Sequence, residues 1–418
     1  MYTSFFRKAM LGDTATLNLD FTTGTLDSRL TFTRAAGTAT YINSSGYVTT
    51  AAANTPRFDY DPVTLAPRGV LIEGSAINYM LESKTLVGYN NSGMVSITSG
   101  SETDPEGTAN AARQVYASSG GTYHGYYRNT SAGTNTTITV SIWAKARNYT
   151  YLFLSELGSG TAAVRFDLSS GAISNNLGAG YVSAKATPFP NGWWRCEMVV
   201  NVTASTAYNW MFAGVPVGAT LNQYGAQYTG TGNAADGIYC YGFQVEAGSG
   251  ASSYIPTTTS TVTRNPDSCL LSGTNFSSWY TQGIGTVCWS GSVFRVTAGH
   301  FANINTVNND PRITAYVGAG NLTNLVTNGT TQASISFGTV TANTAFKAAW
   351  RFNTNNFAAC LNAGTVQTDT VGTVPTGVDR MQLGAAEGGY QFLDGWIKSI
   401  KYYPTAFTNA ELQTATTL

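Results

Sequence analysis

Apolar residues along this chain recur at every second position in short runs, the period of half-buried β-strands. Runs of this kind fall at residues 138–146, 149–154, 163–168, 193–202, 209–213 and 238–246. Turn material separates them, as in Gly158-Ser159-Gly160, Ser169-Ser170-Gly171, Pro190-Asn191-Gly192 and Asp236-Gly237. Regular short strands with such punctuation predict a sandwich or barrel. In the run 138–145, alternation puts Ile138, Val140, Ile142 and Ala144 on one face. Trp143 shares the other with Thr139, Ser141 and Lys145. In the same way Trp194, Cys196, Met198 and Val200 form the buried face of their strand, with Trp193, Arg195 and Glu197 opposite. No heptad pattern and no helical stripe of useful length occurs. A single short helix is expected at the end of the chain. There Phe407-Thr408-Asn409-Ala410-Glu411-Leu412 supplies an N-cap threonine, a glutamate three residues on, and Phe407 as staple.

The stretch 30–83 is read differently. Strand-like Thr31-Phe32-Thr33-Arg34 and Ala39-Thr40-Tyr41-Ile42 are broken by Gly37 and by the Asn43-Ser44-Ser45-Gly46 turn. Pro56, Pro62 and Pro67 then impose an extended, irregular path, because proline fixes its own φ and restricts the residue before it. An apolar strand, Gly69-Val70-Leu71-Ile72-Glu73, closes the stretch. This stretch resembles a segment widespread in virion proteins of tailed bacteriophages. The resemblance is carried by Thr33-Arg34-Ala35, Tyr41, Pro56-Arg57-Phe58-Asp59-Tyr60-Asp61-Pro62, Arg68-Gly69, Glu73 and Asn78. Three later pieces, SIWAKA, FDLSSGAIS and NGWWRCEM with YGFQVEAGSGASSYIPT, resemble a carbohydrate-binding-module-type jelly roll. Thr263-Arg264-Asn265-Pro266-Asp267 echoes the exit from that domain. The tail 392–412 resembles the last strand and helix of concanavalin-A-like, laminin-G-like sandwiches.

Together these give an all-β expectation: an N-terminal virion-attachment segment (1–83), a jelly-roll sandwich (84–266) and a concanavalin-A-like sandwich (267–418). The resemblance implies a head fibre, spike or tail decoration, with a carbohydrate-binding-module protein or a polysaccharide depolymerase as the alternative. Such a protein would be assembled in the bacterial host cytoplasm and displayed on the virion surface. Its implied partners are copies of itself in a homotrimer, other virion proteins through the N-terminus, and host-surface polysaccharide. Phe5 and Phe6 are candidate virion anchors.

Composition narrows the chemistry. Charged residues make up 11% of the 418, against about 25% in ordinary soluble proteins. A surface of small uncharged polar groups suits self-packing, since few charges must be desolvated. The 22 basic and 22 acidic residues cancel, which argues against a phosphate-tracking nucleic-acid groove. No window approaches the ~18 apolar residues of a membrane span, and the first residues lack a signal-peptide h-region. The five cysteines are dispersed without CxxC spacing and read as small buried hydrophobes. Two histidines, His124 and His300, offer little for zinc or acid–base work, and His300 sits in a plausible turn.

Catalysis is not expected. The third unit has no E-x-D-x-x-E arrangement, and neither histidine accompanies a G-x-S-x-G elbow. Asp59 and Asp61 flank Tyr60 and read as members of an Asx-type turn. Binding is the more natural function, because sugars are held by aromatic faces with amide and carboxylate partners. The glycan candidates are Trp143, Trp193, Arg195 and the cluster Tyr123, Tyr126 and Tyr127; no cofactor is implied. Laminin-G-like sandwiches can hold calcium, and Asp310 and Asp379 are the available carboxylates.

Overall fold

In a computed structural model, the described residues are 14–418 apart from 96–97, 122, 133–134, 158–160, 203–207 and 319. Phe5 and Phe6 lie outside them. The chain is all-β, with four large antiparallel sheets paired into two sandwiches.

The middle sandwich follows the alternation. One sheet runs, in order, through 181–188, 193–201, 137–146, 237–247, 113–116 and 98–99. The other runs through 173–177, 163–167, 151–156, 208–215, 123–130, 225–227 and 220–222, with 90–92 beside 123–130. Ile138, Val140, Ile142 and Ala144 meet Cys196, Met198 and Val200 in the core between the sheets, with Leu152, Phe166 and Phe212 opposite. Trp143 and Trp193 fall on the outer face, as the period of two requires.

The second sandwich shows where the expected boundary at residue 83 does not hold. Its core includes Val287, Trp289, Phe346, Trp350, Phe352 and Phe357, together with Leu17, Leu19, Phe32, Val70 and Ile72. Leu17–Asp20 pairs with Gly395–Tyr403, Thr31–Thr33 with Ser268–Ser272, and Pro67–Ile72 with Gly395–Tyr403. The strands at 17–20, 31–33, 58–60 and 67–72 therefore belong to the sheets of the C-terminal sandwich, while 39–42 and 48–51 pair with each other in a separate hairpin. The physical reason is that the short apolar strands of this stretch cannot bury a face alone; they complete sheets begun 200 residues later. The middle sandwich is inserted between them, and its entry and exit strands, Ala76–Asn78 and Val262–Arg264, pair with each other.

Gly69 is fixed by this arrangement. Its φ is +104°, and a Cβ there would strike the Ile397 carbonyl oxygen of the neighbouring strand. The C-terminal helix Asn409–Ala415 opens with the expected capping box between Thr408 and Glu411. No helix among the described residues is long and apolar enough to cross a membrane.

Candidate functional site

Arg34, Arg57, Glu73 and Asn78 of the stretch 30–83 converge at the junction of the two sandwiches. Arg57, wholly buried, donates from Nη1 to Thr40 O (3.1 Å), Ser253 Oγ (2.8 Å) and Glu73 Oε2 (2.5 Å), and from Nη2 to Asp267. Arg34 reaches Asp267 at 3.0 Å, and Arg264 lies 3.3 Å from Glu73. Glu73 also accepts from Ser253 N and Oγ. Burial alone would raise the Glu73 carboxyl. Arg264, Arg57 and the Ser253 donors outweigh it and hold the group down at about 2. Asn78 makes the adjoining stitch: its amide nitrogen donates to Ile255 O (2.8 Å), and its oxygen accepts from Met80 N and Val245 N. The entry and exit motifs of the inserted domain are thus bound by one ionic cluster.

Beside this cluster lies a cavity of about 160 Å³. Its floor is the outer face of the middle sandwich, bearing Trp143, Arg195, Glu197, Lys185 and Thr187; its roof is Tyr41, Ile42, Asp59 and Arg68 with Phe294 and Trp396 of the second sandwich. A bulge opposite Trp143 shapes the floor: Gly242 there has φ +65°, and a Cβ would strike the indole. Arg195 packs its guanidinium 4.7 Å over the Trp143 ring and donates to Ser252 O at 2.8 Å.

Asp59 was expected in a turn and is instead buried in the roof. It accepts from Ile42 N (2.5 Å) and Trp396 Nε1 (2.7 Å), with Arg68 3.9 Å away. Burial pushes its carboxyl up to about 6, against the pull of Arg68 and those donors. Asp61 does form the expected Asx-type turn, accepting from Val63 N and Thr64 N.

The other sequence candidates separate. Trp193 is 1% exposed and its indole donates to Thr103 O at 2.9 Å; it packs in the cluster of Trp143, Phe189, Tyr239, Tyr241 and Tyr254 under the hairpin residue Val48. The face assignment of both tryptophans holds, but a covering hairpin replaces the open ligand face. Tyr126 is buried against Phe212, Tyr127 is half-buried, and Tyr123 alone of that trio is exposed, all on the opposite sheet. Only Trp143 and Arg195 meet at one cavity. The signal that was missed is in the hairpin, whose apolar Ile42 and Val48 needed a partner face.

Both histidines are engaged by neighbouring groups. His124 bonds the backbone carbonyls of Gly93 and Tyr228. His300 lies in a strand, not a turn; burial lowers it to about 4, and it bonds Thr314 Oγ1. Among the described residues no cluster of three or more His, Cys, Asp or Glu side chains could hold a metal. Asp310 accepts from Thr327 and Gly329, and Asp379 pairs with Arg380. A wider hollow of about 810 Å³ crosses the outer sheet of the second sandwich and carries Lys347, Lys398 and Lys401.

No family profile and no curated protein matches the chain. Among solved structures it is similar to the CBM40 of Ruminococcus gnavus IT-sialidase bound to α2,3-sialyllactose, at 16% identity and TM-score 0.29, covering 32% of this chain and 83% of that one. It is also similar to domains LG4–5 of the mouse laminin α1 chain (7% identity, TM-score 0.23, 70% of this chain and 90% of that one). A third likeness is to the LG1–3 region of the laminin α2 chain (10% identity, TM-score 0.24, 68% and 66%). The sandwich architecture stands on the strand pairing itself.

Proposed function

We propose that this chain is a non-enzymatic structural protein of a tailed-bacteriophage virion, a head fibre, spike or tail decoration, that contributes to adhesion to host-surface glycans. The observation that supports this reading most is the fate of the resembling residues. Arg34, Arg57, Glu73 and Asn78 are buried polar groups joining the strands of one sandwich to the entry and exit of another. Their occupation is mechanical: they hold two binding-type domains in fixed relation, which is what a displayed adhesin needs.

A homotrimer is part of the proposal, supported by the low charge and by exposed aromatics such as Tyr123, Tyr224 and Tyr390. An antiserum against the recombinant chain should label intact particles of the phage or prophage that encodes it. Light scattering on the purified protein should give three times 44.2 kDa. Unlabelled particles would overturn the virion assignment, and a monomer mass would remove the trimer.

A further inference from the structure

Three groups of different chemistry border the junction cavity together: the amine of Lys185, the carboxamide of Asn343 and the carboxylate of Glu197. Lys185 lies on the edge strand Tyr181–Pro188 of the middle sandwich, opposite Glu197 in the register. Both side chains therefore stand on one face. Asn343 belongs to the second sandwich, in the turn between the strands Thr331–Thr339 and Phe346–Asn353. Its backbone is pinned there, with N donating to Val293 O at 2.6 Å.

Lys185 Nζ crosses the gap to donate to Asn343 Oδ1 at 3.0 Å, and it stands 3.7 Å from Glu197 Oε1. Glu197 is buried, and its other oxygen accepts from Ala251 N at 3.2 Å. The remaining oxygen is the one turned to the amine. A primary amine held against a carboxamide, with a carboxylate beside it to carry protons, is the set of groups that acyl transfer needs. Lys84 and Lys145, by contrast, pair with the carboxylates of Glu106 and Glu102, and a carboxylate does not take an amine without activation.

We propose that Lys185 and Asn343 join in an isopeptide bond, a covalent cross-link between the two sandwiches made by the folded chain itself. Glu197 takes a proton from the ammonium. The neutral amine adds its electron pair to Asn343 Cγ, and the Nζ–Cγ bond forms. A proton passes from Nζ to Nδ2, the Cγ–Nδ2 bond breaks with its electron pair, and ammonia leaves with the proton that Glu197 held. The balance closes without a co-reactant. The carboxamide must turn to present its carbon in place of its oxygen, and Asn343 is exposed, so it is free to turn. Holding two reactants together is worth effective concentrations of ~10⁵ M or more in well-oriented cases, and the escape of ammonia makes the step one-way. The bond would tie an edge strand of the middle domain to a turn 158 residues later. It does not depend on what the chain adheres to.

Intact-mass spectrometry on the full-length protein, aged at neutral pH, tests this. The mass should lie about 17 Da, one ammonia, below that of the sequence. A tryptic digest should contain a branched peptide joining the segments around Lys185 and Asn343, with no cleavage after Lys185. Asn343→Gly suits the left-handed turn, where φ is +61°, and should show neither change; Lys185→Arg should also show neither. Glu197→Gln should slow the mass change about a hundredfold or more, in protein whose tryptophan fluorescence matches the wild type. Full sequence mass after ageing overturns the proposal. Loss of ammonia confined to linear peptides also overturns it, since that is succinimide formation at an asparagine. Cross-linking at the wild-type rate in folded Glu197→Gln overturns the proton-carrying role. If that variant does not fold, the wild-type mass and Asn343→Gly still decide whether the bond exists.

Discussion

Replacing Arg57 by methionine tests the ionic cluster directly. Methionine keeps much of the apolar stem and removes the guanidinium, leaving Glu73 and Asp267 buried with only Arg264 and Arg34 beside them. Removing one partner of a buried pair costs about 3–5 kcal/mol. The depression of the Glu73 carboxyl to about 2, by Arg264, Arg57 and the Ser253 donors against burial, has the sign that this cost requires. The expected loss is therefore about 3 kcal/mol, to be read from urea unfolding at pH 7 followed by tryptophan fluorescence, since Trp143 and Trp396 border the junction. The pH dependence has a definite sign. A carboxyl depressed in the folded state contributes stability above its unfolded value near 4.3, and that stability is lost as pH falls toward 2. In Arg57→Met the loss should begin at higher pH. The double variant Arg57→Met/Glu73→Gln should cost less than the sum of the single ones, because the stranded carboxylate is gone. A single-variant loss below about 1 kcal/mol, or strict additivity, would refute the cluster as a lock.

Asp59 carries the opposite sign. Its carboxyl is raised to about 6, so the folded chain binds a proton that the unfolded chain releases near ~3.9. Stability should fall as pH rises from 4 to 6, and Asp59→Asn should abolish most of that fall in melting curves taken between pH 4 and 7.5. Trp193→Phe should cost about 2 kcal/mol through the lost bond to Thr103 and the smaller ring. Polysaccharide binding, measured in parallel, should be unchanged because the indole is covered. Thr408→Ala removes the N-cap of the last helix and should lower stability by about 1 kcal/mol in the same unfolding assay.

The strands themselves were legible because alternation is a local signal. The inward set from Ile138 to Ala144, and the split of Trp193 from Trp194, follow from a period of two and from nothing else. The capping box was equally local. Partnership across long sequence separation was not legible: that Leu17–Asp20 pairs with Gly395–Tyr403 depends on closing a loop of nearly the whole chain, and nothing in either strand announces its mate. The same limit hid the site. Trp143 and Arg195 could be placed on an outer face, yet the hairpin that covers that face is 100 residues earlier in the chain. Asp59 looked like a turn residue because prolines surround it, whereas burial under Trp396 decides its role.

The paired entry and exit strands of the inserted domain make it a cassette. Asn78 stands opposite Val262, so the ends of everything between them are adjacent strand neighbours, about 5 Å apart by ordinary antiparallel geometry. A tight turn could join them. The host sandwich would then keep all of its strands, while the ribosome would still have to deliver residues 395–403 before the first strand found its mate. In a chain so wired the middle domain is joined to the frame at one pair of strand ends, and the contacts beside that joint include those of its outer face with the covering hairpin and with Arg295. Arg264 and Asp267 lie beyond Val262 and stay with the frame; what any replacement must bring is small, donors to Glu73 in place of Ser253 N and Oγ.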